Sequence, residues 1–318
     1  MHSGPEILLQ VTDIKALTAR ASAYRLVSPS GERLPAWDAG AHLSFHLPSG
    51  HLRCYSLCGD PARTSEYWVA VQREDQGQGG SLEVARTFTH GAIVRADRPR
   101  NGFALAEDAE RHLLIAAGIG ITPIIAMIHH LRQAGADYFA HVCARSLEET
   151  ASCTFILDEI AAGHAALHHD GNDPARRPDM PAMVGKATAG THVYACGPPG
   201  FLKAFGKATE SWPPHQIHVE SVAPNERLAE GDRAFEVEIA SSGEVITVPA
   251  DKTLLAALAE RGHGIATSCR QGICGSCMVR YIDGIPDHRD EALCELERQD
   301  YLTVCCSRAR SPRLVLDL

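Results

Sequence analysis

Four cysteines constrain this chain more than any other feature. Cys269, Cys274 and Cys277 stand in a C-x4-C-x2-C run, and a further cysteine pair, Cys305-Cys306, lies well downstream. This is the spacing of thiolates around a 2Fe–2S cluster, with three ligands from one compact loop and a fourth from elsewhere. Structural zinc also takes four thiolates, but its sites usually pair two C-x2-C knuckles, and only one is present here. Arg270-Gln271-Gly272-Ile273 and Gly275-Ser276 fill the loop with residues whose backbone N–H groups can face the sulfurs of a buried, negatively charged cluster. Spacing does not choose between Cys305 and Cys306. Cys294 is a third candidate, but its acidic surroundings read as those of a plain thiol.

Composition limits the remaining possibilities. The chain has 318 residues, 45% hydrophobic and 22% charged, enough for two or three globular domains. A formal net charge of −9 disfavours a general nucleic-acid binder. The N-terminus lacks a basic segment followed by an apolar run, and no stretch is apolar enough to span a bilayer. Eleven cysteines without an export signal point to reduced thiols in the cytoplasm rather than to a disulfide framework.

Three regions read differently. From Ile7 to about Phe103 apolar residues alternate, as in Leu43, Phe45, Leu47 and Tyr67, Val69, Val71, with frequent Gly and Pro breaks, which predicts a strand-rich barrel. From Arg111 to about Ser221 strands and helices alternate, which predicts a parallel sheet with crossover helices. Leu113 to Ala117 is a continuous apolar run, as expected of a strand buried on both faces. The helix that follows has Thr122 as its expected N-cap, Pro123 at its first position and Gly135 at its stop. A strand over Tyr138–Ala144 and a helix from about Leu147 to Ala162 come next, then a strand ending in Cys196-Gly197-Pro198. His168-His169-Asp170 reads as a surface loop. Beyond a polar linker, Phe235, Val237 and Ile239 open a hairpin around Ser242-Gly243, and a short helix covers Thr253–Arg261.

Two motifs in the earlier regions bear on nucleotides. Arg53-Cys54-Tyr55-Ser56-Leu57 offers a phosphate-neutralising Arg53, a Tyr55 that can stack on a flavin, and a Ser56 that can reach the flavin N5 side. Gly79-Gly80-Ser81 adds a phosphate cradle of backbone donors and a hydroxyl. Gly118-Ile119-Gly120-Ile121-Thr122-Pro123 lies between a buried strand and a helix, where glycines let pyrophosphate approach. It is not the G-x-G-x-x-G fingerprint of ordinary dinucleotide dehydrogenases. Cys196, Gly197 and Pro198 end a later strand, where open parallel sheets bind ligands, and Cys196 is a candidate neighbour of the nicotinamide. Arg145-Ser146 closes another strand and can meet the adenosine ribose or pyrophosphate. Glu148 and Glu149 beyond it would repel a 2′-phosphate, which favours NADH over NADPH.

Taken together, Arg53-x-Tyr55-Ser56-Leu57, Gly79-Gly80-Ser81, Gly118 to Pro123, Cys196-Gly197-Pro198, the cysteine loop, Pro286 to Asp290 and Val304 to Ala309 resemble the phthalate dioxygenase reductase family, which includes vanillate O-demethylase reductases. The resemblance covers essentially the whole chain. It implies a multidomain fold: an antiparallel FMN-binding β-barrel over residues 1–106, an α/β NAD-binding domain with a parallel sheet over 107–222, a linker over 223–232, and a ferredoxin-like β-grasp domain over 233–318. It further implies Cys305 as the fourth ligand beside Cys269, Cys274 and Cys277, and Ser56, Thr122 and Cys196 near the reacting groups. Where the family carries an aromatic residue over the flavin, this chain has Val222. The implied activity is that of a cytoplasmic, monomeric reductase in aromatic-compound catabolism. It takes hydride from NADH onto FMN and passes single electrons through the 2Fe–2S cluster to a Rieske-type terminal oxygenase. Alternatives are a cytochrome-type acceptor and a zinc-binding nucleotide sensor. Acidic residues after the cysteine loop, from Asp283 to Asp300, are candidates for steering a basic partner.

Overall fold

The computed structural model describes residues 6–75, 79–146, 153–171, 173, 176–222, 228–229, 231–267, 270, 272, 275–290 and 292–318. The chain divides into two compact units, one of Ser3–Leu47 with Tyr55–Ala223, the other of Pro48–Cys54 with Pro224–Leu318. No helix among the described residues is long and apolar enough to cross a membrane.

The first sheet holds β1 (Ile7–Ala16), β2 (Ala21–Val27), β3 (Ala41–His46), β4 (Leu52–Ser56), β5 (Tyr67–Gln72), β6 (Ile93–Ala96) and β7 (Arg100–Asn101), in the order β4-β3-β6-β1-β2-β5 with β7 on β3. A bridge between Leu57, just past β4, and Val69 of β5 joins the two ends of that order, so the sheet closes as a barrel. Leu9, Leu26, Leu43, Phe45, Leu57 and Tyr67 fill its interior. One helix, α1 (Gly80–Thr87), interrupts the strands. The sequence pattern did not announce it, because only Gly80, Glu83 and Val84 are buried and the apolar stripe is thin.

The second sheet is wholly parallel. It contains β8 (Arg111–Ala117), β9 (Asp137–Ala144), β10 (Ala165–His169), β11 (Thr191–Gly197) and β12 (Ile217–Ser221), in the order β10-β9-β8-β11-β12. Both faces are covered. Leu114, Ala116, Tyr194 and Cys196 face the core continuous with the barrel interior, while Leu113, Ile115, Val193 and Ala195 face helices 180–184 and 199–208. That double burial is why β8 reads as an unbroken apolar run.

Several expectations for this region need correction. Helix α2 spans Ile121–Ala134 and ends at left-handed Gly135 as expected, but its N-cap is Gly120, not Thr122. A 3-10 turn over Gly118–Gly120 already winds the chain, so the helix starts earlier and Pro123 falls third rather than first. It remains in the first turn, where its missing N–H is harmless. Of the next expected helix, Thr154–Ala161 is helical, and residues 147–152 lie outside the described ones. His168 and His169 end strand β10 rather than forming a loop, because His168 is held by a 2.9 Å hydrogen bond to His141 on the neighbouring strand.

The C-terminal unit carries β13 (Phe235–Ile239), β14 (Val245–Val248), β15 (Met278–Asp283), β16 (Pro286–Asp287), β17 (Tyr301–Thr303), β18 (Arg308–Ala309) and β19 (Arg313–Leu316). Five form a mixed sheet, β14-β13-β19-β15-β17, and β16 pairs with β18. Helix Leu254–Glu260 packs Leu254 and Leu258 on it, capped by Thr253, whose hydroxyl accepts from the Ala256 N–H at 3.2 Å. A sheet grasping one helix is the β-grasp arrangement expected of residues 233–318.

Candidate functional site

The order of the parallel sheet reverses between β8 and β11. Open α/β sheets bind ligands at the carboxyl ends of strands at such a reversal. Two glycines make the crevice there. A Cβ on Gly120 would run into the Cys196 carbonyl, and one on Gly197 would lie 2.7 Å from the Phe201 ring and 3.0 Å from the Ala117 side chain. Only glycine lets these segments meet so closely. Gly118, by contrast, has φ +56 and nothing within 4 Å of its missing side chain, so its backbone is approachable from outside. Thr122 is buried, and its hydroxyl donates to the Ile119 carbonyl at 3.0 Å, bracing the turn. Pro198 caps helix Pro199–Ala208.

Ser56, at the end of β4, meets this crevice. Its hydroxyl donates to Glu220 Oε2 at 3.3 Å, and the Cys196 thiol lies 3.7 Å from the same oxygen. Cys196 is fully buried, and burial together with the Glu220 carboxylate pushes its thiol pKa well above the ordinary value. It is therefore a neutral donor to Glu220. Glu220 is the functional candidate the sequence reading missed. It lies 164 positions from Ser56, and an acidic residue near a strand end carries no local signal. Beside it Val222 is 41% exposed, its N–H donating to the Gly197 carbonyl at 3.3 Å.

The other flavin candidates are also on the first sheet. Arg53 and Tyr55 are half-buried on β4. The Arg53 guanidinium donates to the Leu52 carbonyl at 2.8 Å, and the Tyr55 ring packs 6.1 Å from Phe45. Gly79 has φ +84 and precedes α1 without any side-chain cap, so the first N–H groups of that helix are open to an anion. The Ser81 hydroxyl accepts from the Glu74 N–H at 2.9 Å and keeps its proton for donation. Arg145 and Ser146 follow β9, and the Arg145 carbonyl accepts from Gly171 at 2.9 Å. Glu148 and Glu149 lie outside the described residues. These open backbone donors and glycine-made clefts fit two phosphorylated, ring-bearing cofactors.

In the C-terminal unit Cys277 and Cys305 are buried, 2% and 1% exposed. The Val304 N–H donates to the Cys277 carbonyl at 3.2 Å, which makes the two cysteines neighbours. Cys269 and Cys274 lie outside the described residues, so no full set of three metal-ligating side chains occurs among the described ones. Within the loop Arg270, Gly272 and Gly275 have φ of 54, 77 and 70°. Left-handed residues are an ingredient of the backbone nests that suit anionic groups. A Cβ on Gly272 would strike the Cys306 sulfur, so the loop can close only over glycine. This is a fit to a compact cluster bearing negative charge. Cys294 is exposed and apart from that core. The acidic segment is less available for steering than its sequence implied. Asp290 is buried, and Asp287 is paired with Arg289 and Arg310.

Similarity to known proteins follows the same layout. The family of 2Fe–2S iron–sulfur cluster binding domains matches residues 237–310. The tert-butanol monooxygenase / tert-amyl alcohol desaturase reductase subunit of Aquincola tertiaricarbonis is 39% identical over 321 residues, 98% of this chain and 95% of its own. The vanillate O-demethylase oxidoreductase of Pseudomonas sp. strain HR199 is 40% identical over 300 residues, covering 93% and 95%. Among solved structures, phthalate dioxygenase reductase, described as a modular structure for electron transfer from pyridine nucleotides to [2Fe-2S], is 33% identical with a TM-score of 0.73, covering 99% of this chain and 98% of that one. Likeness of this extent, running through both units, makes the protein an oxidoreductase that belongs to the phthalate dioxygenase reductase family.

Proposed function

We propose that this protein is the reductase component of a multicomponent oxygenase, a cytoplasmic monomer that draws electrons from NADH through FMN and a 2Fe–2S cluster and delivers them singly to a Rieske-type terminal oxygenase. The observation that carries the reading is the meeting of Ser56, Cys196 and Glu220 at the sheet reversal, in a chain that also carries a cysteine loop of 2Fe–2S type. When bound, the flavin and cluster supply the conversion of a two-electron donor into single electrons.

In this reading the chain's own residues bind, orient and exclude water. Arg53 and the N–H groups at Gly80 and Ser81 hold the flavin phosphate, and Tyr55 lies along the ring system. Ser56 stands at the flavin N5 side, and its hydroxyl is oriented by Glu220, which fixes where its proton points. Gly118 and Gly120 admit the pyrophosphate, Gly197 and Pro198 shape the nicotinamide slot with Cys196 behind it, and Arg145 and Ser146 meet the adenosine end. Thr122 braces the turn between them. Val222 leaves more room over the flavin than an aromatic residue would. Cys269, Cys274, Cys277 and Cys305 hold the cluster, and the domains run over residues 1–106, 107–222 and 233–318 with a linker between the last two.

The test is anaerobic titration of purified holoprotein with NADH, followed by mixing with an oxidised Rieske oxygenase. The flavin and iron–sulfur absorbances should bleach on titration and return on mixing. Protein that bleaches but reduces only haem-containing acceptors overturns the choice of partner. Protein without iron, or indifferent to NADH, overturns the reading as a whole.

A further inference from the structure

Asp290 has a side chain with no exposure, whereas Asp283, Glu295 and Asp300 around it in the sequence are exposed. It is wedged between the two stretches that carry the proposed cluster ligands. On one side, a Cβ on Gly272, inside the cysteine loop, would lie 2.9 Å from the Asp290 Cα, and the Ala292 N–H donates to the Gly272 carbonyl at 3.0 Å. On the other, Ser307, two residues past Cys305, accepts from the Arg289 N–H at 3.4 Å and donates its own proton to Asp290 Oδ1 at 3.4 Å. The Leu293 N–H donates to Asp290 Oδ2 at 3.0 Å. Both carboxylate oxygens therefore act as acceptors, as in the ionised form.

Two basic side chains face this carboxylate. Arg298 donates to the Asp290 carbonyl at 2.6 Å and stands 3.7 Å from Oδ2, and the His288 ring lies 3.6 Å from Oδ1. Arg298 is 36% exposed, so water and salt screen its guanidinium, while the carboxylate is enclosed by protein. Charge is felt more strongly where the surroundings are less polarisable, so the field inside is dominated by the anion. The potential of an iron–sulfur cluster depends on the charge and burial around it. Reduction adds one electron, and with it one negative charge, to the iron–sulfur unit, and a buried anion beside the ligand segments opposes that addition.

We propose that Asp290 sets the reduction potential of the cluster: its buried carboxylate keeps the potential low, which makes the reduced cluster a stronger donor to the next acceptor. The inference rests on the reading of Cys269, Cys274, Cys277 and Cys305 as the ligands.

The test uses the full-length holoprotein with Asp290→Asn and Arg298→Gln at pH 8, reading iron content and the cluster midpoint potential by EPR-monitored titration with dithionite. Asp290→Asn removes the charge while keeping the shape and an acceptor oxygen. It should make reduction about tenfold more favourable, a rise of about 59 mV for a one-electron couple. Arg298→Gln should act in the opposite sense and less, making reduction about threefold less favourable, a fall of about 28 mV, because its cation is screened. A residue that merely held the fold would not give a pair of shifts of opposite sign. An unchanged or lowered potential in iron-loaded Asp290→Asn overturns the proposal. If Asp290→Asn fails to load, Arg298→Gln decides: a fall upholds the proposal, and an unchanged or raised potential overturns it. Parent protein purified without iron overturns the ligand reading instead.

Discussion

Gly120 is the residue at which backbone chemistry most limits the nucleotide crevice. A methyl group there meets a main-chain carbonyl of β11, which cannot rotate away as a side chain can. Gly120→Ala should lower stability by about 1–3 kcal/mol, the usual cost of overpacking, and abolish NADH-dependent bleaching while iron stays bound. Calorimetry and an anaerobic NADH titration check both. Cysteine reactivity gives a second outcome. Cys196 has no exposure and a raised thiol pKa, whereas Cys294 is exposed. Iodoacetamide on native protein at pH 8 should therefore label Cys294 and spare Cys196, as read by peptide mass spectrometry. The glycines were legible from sequence because a strand, a tight turn and a helix follow one another within ten residues. Glu220 was not, since its meeting with Ser56 joins two distant strands.

The parallel sheet also carries a ladder of imidazoles across β8, β11 and β12. His112 stands opposite His192, and Tyr194 opposite His218. His192 Nδ1 and His218 Nε2 are 3.0 Å apart, and the His218 ring stacks on Tyr194 at 4.5 Å. Asp108 lies 3.6 Å from His192 and, with His215, acts on His218, while Asp137 and His130 act on His112. Burial, followed by the charge of His192, pushes His112 and His218 down to about 4. Both are neutral in the folded chain while their unfolded counterparts protonate near 6.5. Stability is thus full above that pH and falls as pH drops toward 4. His112 alone contributes about 1.4 kcal/mol per pH unit in that window, and half-buried His218 less. Urea midpoints at pH 7.5 and pH 5 should differ accordingly, and His112→Phe should narrow the gap. An unaltered gap would refute the assignment to this ladder.

At the scale of the molecule, the boundary of the C-terminal unit is set by charge. Asp232 receives two hydrogen bonds from Arg289, at 2.9 and 2.6 Å, and lies 3.5 Å from Arg308, which is 2% exposed. Arg308 also donates to the carbonyls of Lys252, Arg233 and Pro249. The hydrogen bonds from Arg289 hold the Asp232 carboxyl down to about 2. The stability this adds is full above the ordinary aspartate pKa of 3.8 and is lost as pH falls to about 2. Asp232→Ala leaves Arg308 buried without its carboxylate, which should cost about 3–5 kcal/mol. The iron–sulfur absorbance should then disappear at lower urea than in the parent, while the flavin-linked transition stays where it was. A shared midpoint for both signals would show the two units unfolding together.

By itself the sequence determined what depends on near neighbours: the spacing of the cysteine loop, the alternation that separates barrel strands from parallel ones, and the glycines between β8 and α2. Such patterns follow from the steric rules of a few consecutive residues. Only the tertiary structure decided that Leu57 meets Val69 to close the barrel, that Glu220 orients Ser56, that Cys306 faces Gly272, and that Asp232 pairs with Arg289. Each of these joins segments far apart in the chain. Packing selects them from many chemically equivalent partners, and no local preference distinguishes the winner.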